Sequence, residues 1–251
     1  MIEKIDDISQ IEVYSKVDIY SIRIFSLLNA YGCKYPFARF YRQVNSCGNV
    51  SAILSVLDKD FTLSFDNVFA DKDEIKEFLS VIGFETLLCD ESLHIDVPYE
   101  YGVVMKTYKK IKSSCNYDEV NKYSYLLDLY NFIEYDGNNF DSWYVDISHR
   151  IRHNSSKAFT LNVDNQIVSS VILSSIYQNN AIITGVRTNP KFRKKGYGSA
   201  LVSTICSNVV GDVYLMREKD KNESFYKKLG FENIGNWRIY KWYLFLKLIV
   251  K

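Results

Sequence analysis

The sequence has little with which to hold a metal. It contains three histidines, His94, His149 and His153, and five cysteines, Cys33, Cys47, Cys89, Cys115 and Cys206, scattered with no C-x-x-C pair. That argues against the usual zinc spacings. His149 and His153 are spaced to share a helix face, but no HExxH or similar carboxylate pattern accompanies them, so a surface or loop role is expected and no metal site. The odd, dispersed cysteines fit free thiols in a reducing cytoplasm better than a disulfide framework. Neither sign of charge is in excess, with 31 Lys and Arg against 30 Asp and Glu. No global field draws the chain to nucleic acid or to an anionic membrane, so electrostatic recognition has to be local. Long apolar runs are also missing. The longest, WYLFLKLIV, is interrupted by Lys247 and is too short to span a bilayer. The first residues, MIEKIDDISQIEVYSK, are acidic where a secretion signal needs a basic segment and then an apolar run. A soluble, cytoplasmic protein is expected.

What is present is a chain of 251 residues whose two halves follow one plan. From Val17 to Ala30 apolar residues recur at helical spacing, and GCKYPF stops that helix. FARFYRQV, NVSAILSVL and FTLSFDNV are short β-rich runs separated by NSCGN and DKD, the pattern of an antiparallel meander. ADKDEIKEFLSVIG reads as a capped helix ending on Gly83, and FETLLC as one more strand. In the second half NKYSYLLDLYNFIEY and DSWYVDISHRIR are helical, followed by the strands KAFTLNVD, QIVSSVILSSIY and AIITGVRT. The helix SALVSTICSNVV, the strand DVYLMR, the short helix NESFYKKLG and a strand-rich tail, FENIGNWRIYKWYLFLKLIV, complete it. Both halves therefore read helix, three-stranded meander, helix, strand, a repetition of architecture rather than of residues. The expected class is α+β, in two domains, 1–115 and 116–251, each a mostly antiparallel mixed sheet flanked by helices.

The halves differ at one place. Between the third strand and the next helix the first half has the acidic FDNVFADKDE, whereas the second has NPKFRKKGYG, with Lys191, Arg193, Lys194 and Lys195 beside Gly196 and Gly198. A strand that passes through a glycine-punctuated turn into a helix aims backbone N–H groups and the positive helix end at one point. The glycines permit close approach and positive φ, and the cations add attraction, so a phosphate or pyrophosphate fits. The Walker pattern GxxxxGK[ST] is absent, and GYGSAL lacks the third glycine of a dinucleotide fingerprint. Nucleic acid is not expected, because the basic patch stands alone without interleaved aromatic platforms.

The stretch VRTNPKFRKKGYGSAL resembles the acetyl-coenzyme A binding motif of the GNAT acetyltransferase superfamily, [QR]-x-x-G-x-[GA]. Arg193, Gly196 and Gly198 fill its fixed positions, and Thr188 and Pro190 match its lead-in. NESFYKKLGFENIG, from Asn222 to Gly235, resembles the later N-x-x-x-x-[FY]-Y-x-K-x-G-F segment, with one residue fewer after Asn222. The motif resemblance covers roughly Lys157 to Trp242. The first half resembles only the fold, in the manner of the degenerate N-terminal repeat of tandem-GNAT proteins, which implies that it does not bind the cofactor.

The resemblance implies residue roles. Backbone amides from Arg193 to Ser199, thus including Lys194, Lys195, Gly196, Tyr197 and Gly198, are expected to hold the pyrophosphate, and Val186 and Thr188 to pair with the pantetheine arm. Gly185, a glycine inside a strand, marks an expected bulge that would open a slot for that arm. Tyr226 is the expected catalytic residue, a general acid that protonates the departing thiolate. Asn222 has two readings, a hydrogen bond to the cofactor arm or an ordinary N-cap. The general base is unassigned: AIITGVRT carries no carboxylate, and water or a distant acid such as Glu218 would have to serve. The function implied is transfer of an acetyl group from acetyl-coenzyme A to a primary amine of a small molecule or peptide. The competing reading is a coenzyme A or acyl-coenzyme A binding sensor without catalysis. No metal, nucleic acid or membrane is expected as a partner, and exposed strands in RIYKWYLFLKLIV are expected to pair either between the two halves or between copies in a homodimer.

Overall fold

The structure, a computed structural model, describes residues 1–108, 110–134 and 139–242. In chain order its elements are β1 (Ile2–Lys4), α1 (Ile19–Tyr31), β2 (Ala38–Val44), β3 (Val50–Leu57), β4 (Asp60–Phe65), α2 (Lys72–Ile82), β5 (Thr86–Asp90) and β6 (Tyr99–Thr107). There follow β7 (Asp118–Glu119), α3 (Tyr123–Ile133), α4 (Phe140–Arg152), β8 (Lys157–Val163), β9 (Gln166–Tyr177), β10 (Asn180–Thr188), α5 (Tyr197–Asn208), β11 (Val213–Glu218), α6 (Glu223–Lys228) and β12 (Phe231–Lys241). The fold is α+β, with mostly antiparallel sheets flanked by helices. No helix among the described residues is long and apolar enough to cross a membrane.

The chain divides into two compact units. One runs from Met1 to Val104 and takes in the chain from Ile234 onward; the other is Met105–Asn233. A division near residue 115 was expected, with the tail in the second domain. Instead β12 returns to the first unit, where Trp237 to Lys241 pair antiparallel with Asp90 to Thr86 of β5. Such pairing joins residues far apart in sequence, one of the two pairings open to the strands of RIYKWYLFLKLIV. The rest of the apolar tail expected as strand lies beyond Trp242, outside the described residues.

In the first unit β2, β3 and β4 form the meander, with β1 on the outer edge of β2. α2 then crosses over so that β5 lies parallel to β4. α1 opens with a capping box in which Asp18 Oδ1 accepts from Ser21 N at 2.7 Å and Ser21 Oγ accepts from Asp18 N at 2.9 Å. Its residues are buried nearly all round, which is why it lacks a polar face. Phe61, Leu63, Phe65, Leu79, Leu87 and Tyr240 are among the residues of one core cluster here, each almost fully buried.

The second unit repeats the order. β8, β9 and β10 form an antiparallel meander, β7 adds to the outer edge, and α5 crosses over so that β11 starts parallel to β10. Leu126 and Leu129 of α3 and Ile147 of α4 pack on Ala158 and Ile172 on one face of this sheet. Gly198 of α5 comes against Thr188 and Ser169, which the strand alternation puts on the opposite face.

Candidate functional site

The site is built on the far half of β10. This strand pairs with β9 from Asn180↔Tyr177 to Thr188↔Ser169, but the register slips between Thr184↔Ile172 and Arg187↔Ser170. Gly185 and Val186 together therefore oppose Val171, which is a β-bulge. Gly185 sits there at φ +57, in the left-handed region, and an added Cβ would lie 2.9 Å from Ile172 Cδ1. Glycine is required twice over, by backbone and by space. On its other edge β10 pairs with β11 only at Ala181↔Val213 and Ile182↔Tyr214. Both strands continue, β10 to Thr188 and β11 to Glu218, with no further pairing between them among the described residues. They splay, and the backbone edge around Val186 and Thr188 is left open.

Two serines of β9 hold this geometry from the closed side. Ser170 Oγ donates to the Gly185 carbonyl at 2.7 Å, and Ser169 Oγ donates to the Arg187 carbonyl at 2.9 Å. Both serines are fully buried. Sequence reasoning passed over them, although polar residues inside the apolar run QIVSSVILSSIY were a visible signal.

Beyond Thr188 the chain makes one 3-10 turn, Pro190–Phe192, capped by Asn189, whose Oδ1 accepts from Lys191 N at 3.1 Å. Arg193 closes this turn: its amide donates to the Pro190 carbonyl at 3.4 Å and its Nε to the Thr188 carbonyl at 3.2 Å. Its amide, expected to face an anion, is engaged with its Nε in holding the loop. Lys194 at φ +63 and Gly196 at φ +87 then turn the backbone left-handed, the arrangement that gathers successive N–H groups on one concave side. Gly196 is the N-cap of α5 and has no side chain to cap with; the first bond back to it is from Ala200 N, at 2.9 Å. The amides of Lys194, Lys195, Gly196, Tyr197, Gly198 and Ser199 thus have no acceptor among the described residues. An anion at this helix end would satisfy them and meet the positive dipole terminus. An open hollow of about 490 Å³ lies against Lys195, Gly196 and Tyr197, with Cys115 and Leu161 on its wall.

Gly198 joins the three elements. Its position is buried, and a Cβ there would lie 2.5 Å from Thr188 Oγ1, 3.8 Å from Ser169 Oγ and 3.9 Å from Phe225 Cζ. The start of α5, the end of β10 and the short helix α6 therefore meet at one residue. Next along α6, Tyr226 packs edge-on against Phe225 and Phe231, with ring centroids 5.0 and 5.7 Å away. Its hydroxyl makes no hydrogen bond among the described residues, unlike that of a structural core tyrosine such as Tyr240, which donates to the Leu93 carbonyl at 2.6 Å. Burial pushes the Tyr226 phenol up to about 12, and the nearby Cys206 adds to the shift. Cys206 is itself raised to about 12 by burial, so both groups are neutral at physiological pH.

Asn222 occupies the N-cap of α6 in a left-handed conformation at φ +60 and makes no side-chain capping bond. Its carbonyl accepts from Tyr226 N at 3.2 Å, which leaves its side-chain amide exposed. Glu218, at the end of β11, is paired with Lys221 at 2.6 Å. Arg187, next to the bulge, forms an ion pair with Glu134 at the end of α3 and donates to the Ile133 carbonyl at 3.3 Å. All five cysteines are free, and no group of His, Cys, Asp or Glu among the described residues is arranged to hold a metal.

Residues 122–231 match the model of the Acetyltransferase (GNAT) family. No curated protein matches the chain. Among solved structures, a GCN5-related N-acetyltransferase from Kribbella flavida is similar with a TM-score of 0.57 at 12% identity, over 89% of this chain and 94% of that one. A GNAT-family acetyltransferase from Colwellia psychrerythraea gives 0.54 at 10% identity, over 96% and 99%. A tandem GNAT protein from the clavulanic acid biosynthesis pathway gives 0.54 at 10%, over 96% and 97%. At these identities the structures speak for the fold, while the family model covers the unit that carries the bulge, the open amides and Tyr226. Residues 122–231 are thus similar to the GNAT acetyltransferase family, and the solved structures share the fold.

Proposed function

We propose that this protein is an N-acetyltransferase that moves the acetyl group of acetyl-coenzyme A to a primary amine of a small molecule or peptide, by direct transfer in a ternary complex. One observation carries the reading: β10 stops pairing with β11 at Ile182↔Tyr214 yet runs on to Thr188, and its open edge leads to the unpaired amides at the start of α5. An extended arm with amides needs such an edge, and a pyrophosphate needs such a helix end. Few other ligands need both in succession.

In this reading the amides of Lys194 to Ser199 take the pyrophosphate, with the exposed ammonium groups of Lys194 and Lys195 adding attraction. The N–H and C=O groups of Val186 and Thr188 pair with the pantetheine arm and fix its register. The Asn222 side-chain amide is available to the same arm. Tyr226 holds a proton at its hydroxyl and gives it to the thiolate that leaves. Its burial keeps that proton in place, since the phenol is pushed up to about 12. The attacking amine has to lose a proton as well, and β10 supplies no carboxylate for this, so water relayed along backbone carbonyls takes it in this account.

That absence is the one observation on the side of a coenzyme A sensor without turnover. A thiol-release assay separates the two. Incubation of the protein with acetyl-coenzyme A and a panel of amino acids, polyamines, aminoglycosides and short peptides is expected to free coenzyme A with at least one acceptor. Tight binding of acetyl-coenzyme A with no thiol released by any acceptor would favour the sensor.

A further inference from the structure

We propose that Arg217 is a positioning residue for Tyr226, acting through Glu223. The inference rests on Tyr226 being the proton donor of the reaction described above. α6 spans Glu223–Lys228, less than two turns, and its N-cap makes no side-chain bond. A helix that short has no stability of its own, so its place is set by tertiary anchors. Arg217 is such an anchor. Its side chain, near the end of β11, is only 4% exposed and is ion-paired with Glu223 Oε2 at 2.8 Å. The same guanidinium donates to the Glu218 carbonyl at 3.1 Å, to the Lys219 carbonyl, and to Asn233 Oδ1 at 3.5 Å, while its Nε points at Met105 Sδ at 3.3 Å.

One planar fork thus holds the turn that leaves β11, the first residue of α6 and a residue of β12 beyond it. Asn233 closes the circuit by donating to Glu223 Oε1 at 3.3 Å. Tyr226 follows Glu223 by three residues, close to one helical turn, so the direction of the Glu223 side chain sets that of the tyrosine. A slip of α6 by one residue rotates its side chains by about 100° and carries the hydroxyl away from the slot. Lysine keeps the charge of Arg217 but has no fork, and cannot bind the carbonyls and the carboxylate together.

The test is a double-mutant cycle on Arg217→Lys and Tyr226→Phe, read as kcat, as KM for acetyl-coenzyme A and as calorimetric affinity for coenzyme A. Arg217→Lys is expected to lower kcat about tenfold to a hundredfold, the range a displaced catalytic group produces, with coenzyme A affinity within about threefold of wild type. In the Tyr226→Phe background Arg217→Lys is expected to cause no further loss of kcat. Two multiplying losses, or an unchanged kcat in the folded single variant, would overturn the proposal. If Arg217→Lys fails to fold, Glu223→Gln breaks the same link at its exposed end and replaces it in the cycle. Amide hydrogen exchange reads the anchor without turnover: protection at Tyr226 and Lys227 is expected to fall in the variant while that of α5 is kept. Equal protection in both proteins would overturn the anchoring claim even if wild type has no activity, an outcome that would count separately against the enzyme reading.

Discussion

At the scale of single residues the account depends on Tyr226. It is half-buried between two phenylalanines, with a hydroxyl that no described group satisfies, on a helix whose first residue is tied to a buried arginine. Replacing it by phenylalanine keeps the packing and removes the proton, so kcat is expected to fall about a hundredfold or more with KM for acetyl-coenzyme A little changed. Steady-state kinetics on the two proteins checks this. The pH dependence follows from burial. A raised phenol pKa means that the proton stays on as pH rises, so the limb of kcat that belongs to Tyr226 is centred near 12 rather than at the ordinary tyrosine value of about 10. Between about pH 8 and pH 10.5 kcat is expected to show no decline from this group. A decline with a midpoint near 10 that vanishes in Tyr226→Phe would contradict the assignment.

At the scale of elements the site is a bulged strand and a helix without a capping side chain, brought within contact at Gly198. An alanine at 198 places a methyl group 2.5 Å from Thr188 Oγ1, which has to swing away and give up its 3.2 Å contact with Ser169 Oγ. Gly198→Ala is expected to weaken acetyl-coenzyme A about tenfold, and Gly198→Ala with Thr188→Ala to recover most of that loss, since the clash is with the hydroxyl; calorimetric titration of both variants decides. Much of this level was legible in the sequence. The two meanders were readable because short β-rich runs alternate with turns such as NSCGN and DKD, and the bulge because a glycine inside AIITGVRT reads as either a bulge or relief of crowding, and the fold shows both. The less legible parts rest on distant contacts. YEYGVVMKT, which forms β6, has no hairpin partner next to it in sequence, and Arg217 looks like any surface arginine until Glu223 and Asn233 fold onto it. Arg193 shows the reverse, a motif position whose amide and Nε turn out to close the loop from inside.

At the scale of the whole molecule, the same strand, helix, strand crossover occurs once in each unit, with opposite solutions at the helix start. α5 begins on Gly196 and leaves its amides open, whereas α2 begins on Asp71, whose carboxylate accepts from Asp73 N at 3.1 Å and Glu74 N at 3.0 Å. In the first unit a built-in anion already stands where the second unit has room for a foreign one. This makes Asp71 a structural residue: Asp71→Ala is expected to cost about 1 kcal/mol of stability, seen as a lower denaturant midpoint, with coenzyme A binding unchanged. The sequence contrast between FDNVFADKDE and NPKFRKKGYG pointed this way, but the capping bonds required the fold.

The central claim, that the open helix start of the second unit holds the pyrophosphate of coenzyme A, is tested most directly by calorimetric titration of acetyl-coenzyme A into the wild type and into Gly198→Glu. The expected result is one site per chain in the wild type and none in the variant, whose added side chain runs into Thr188 and forces the end of β10 and the start of α5 apart, with circular dichroism of the two proteins alike. Binding that survives Gly198→Glu, two equivalent sites per chain, or no binding by the folded wild type would contradict the account.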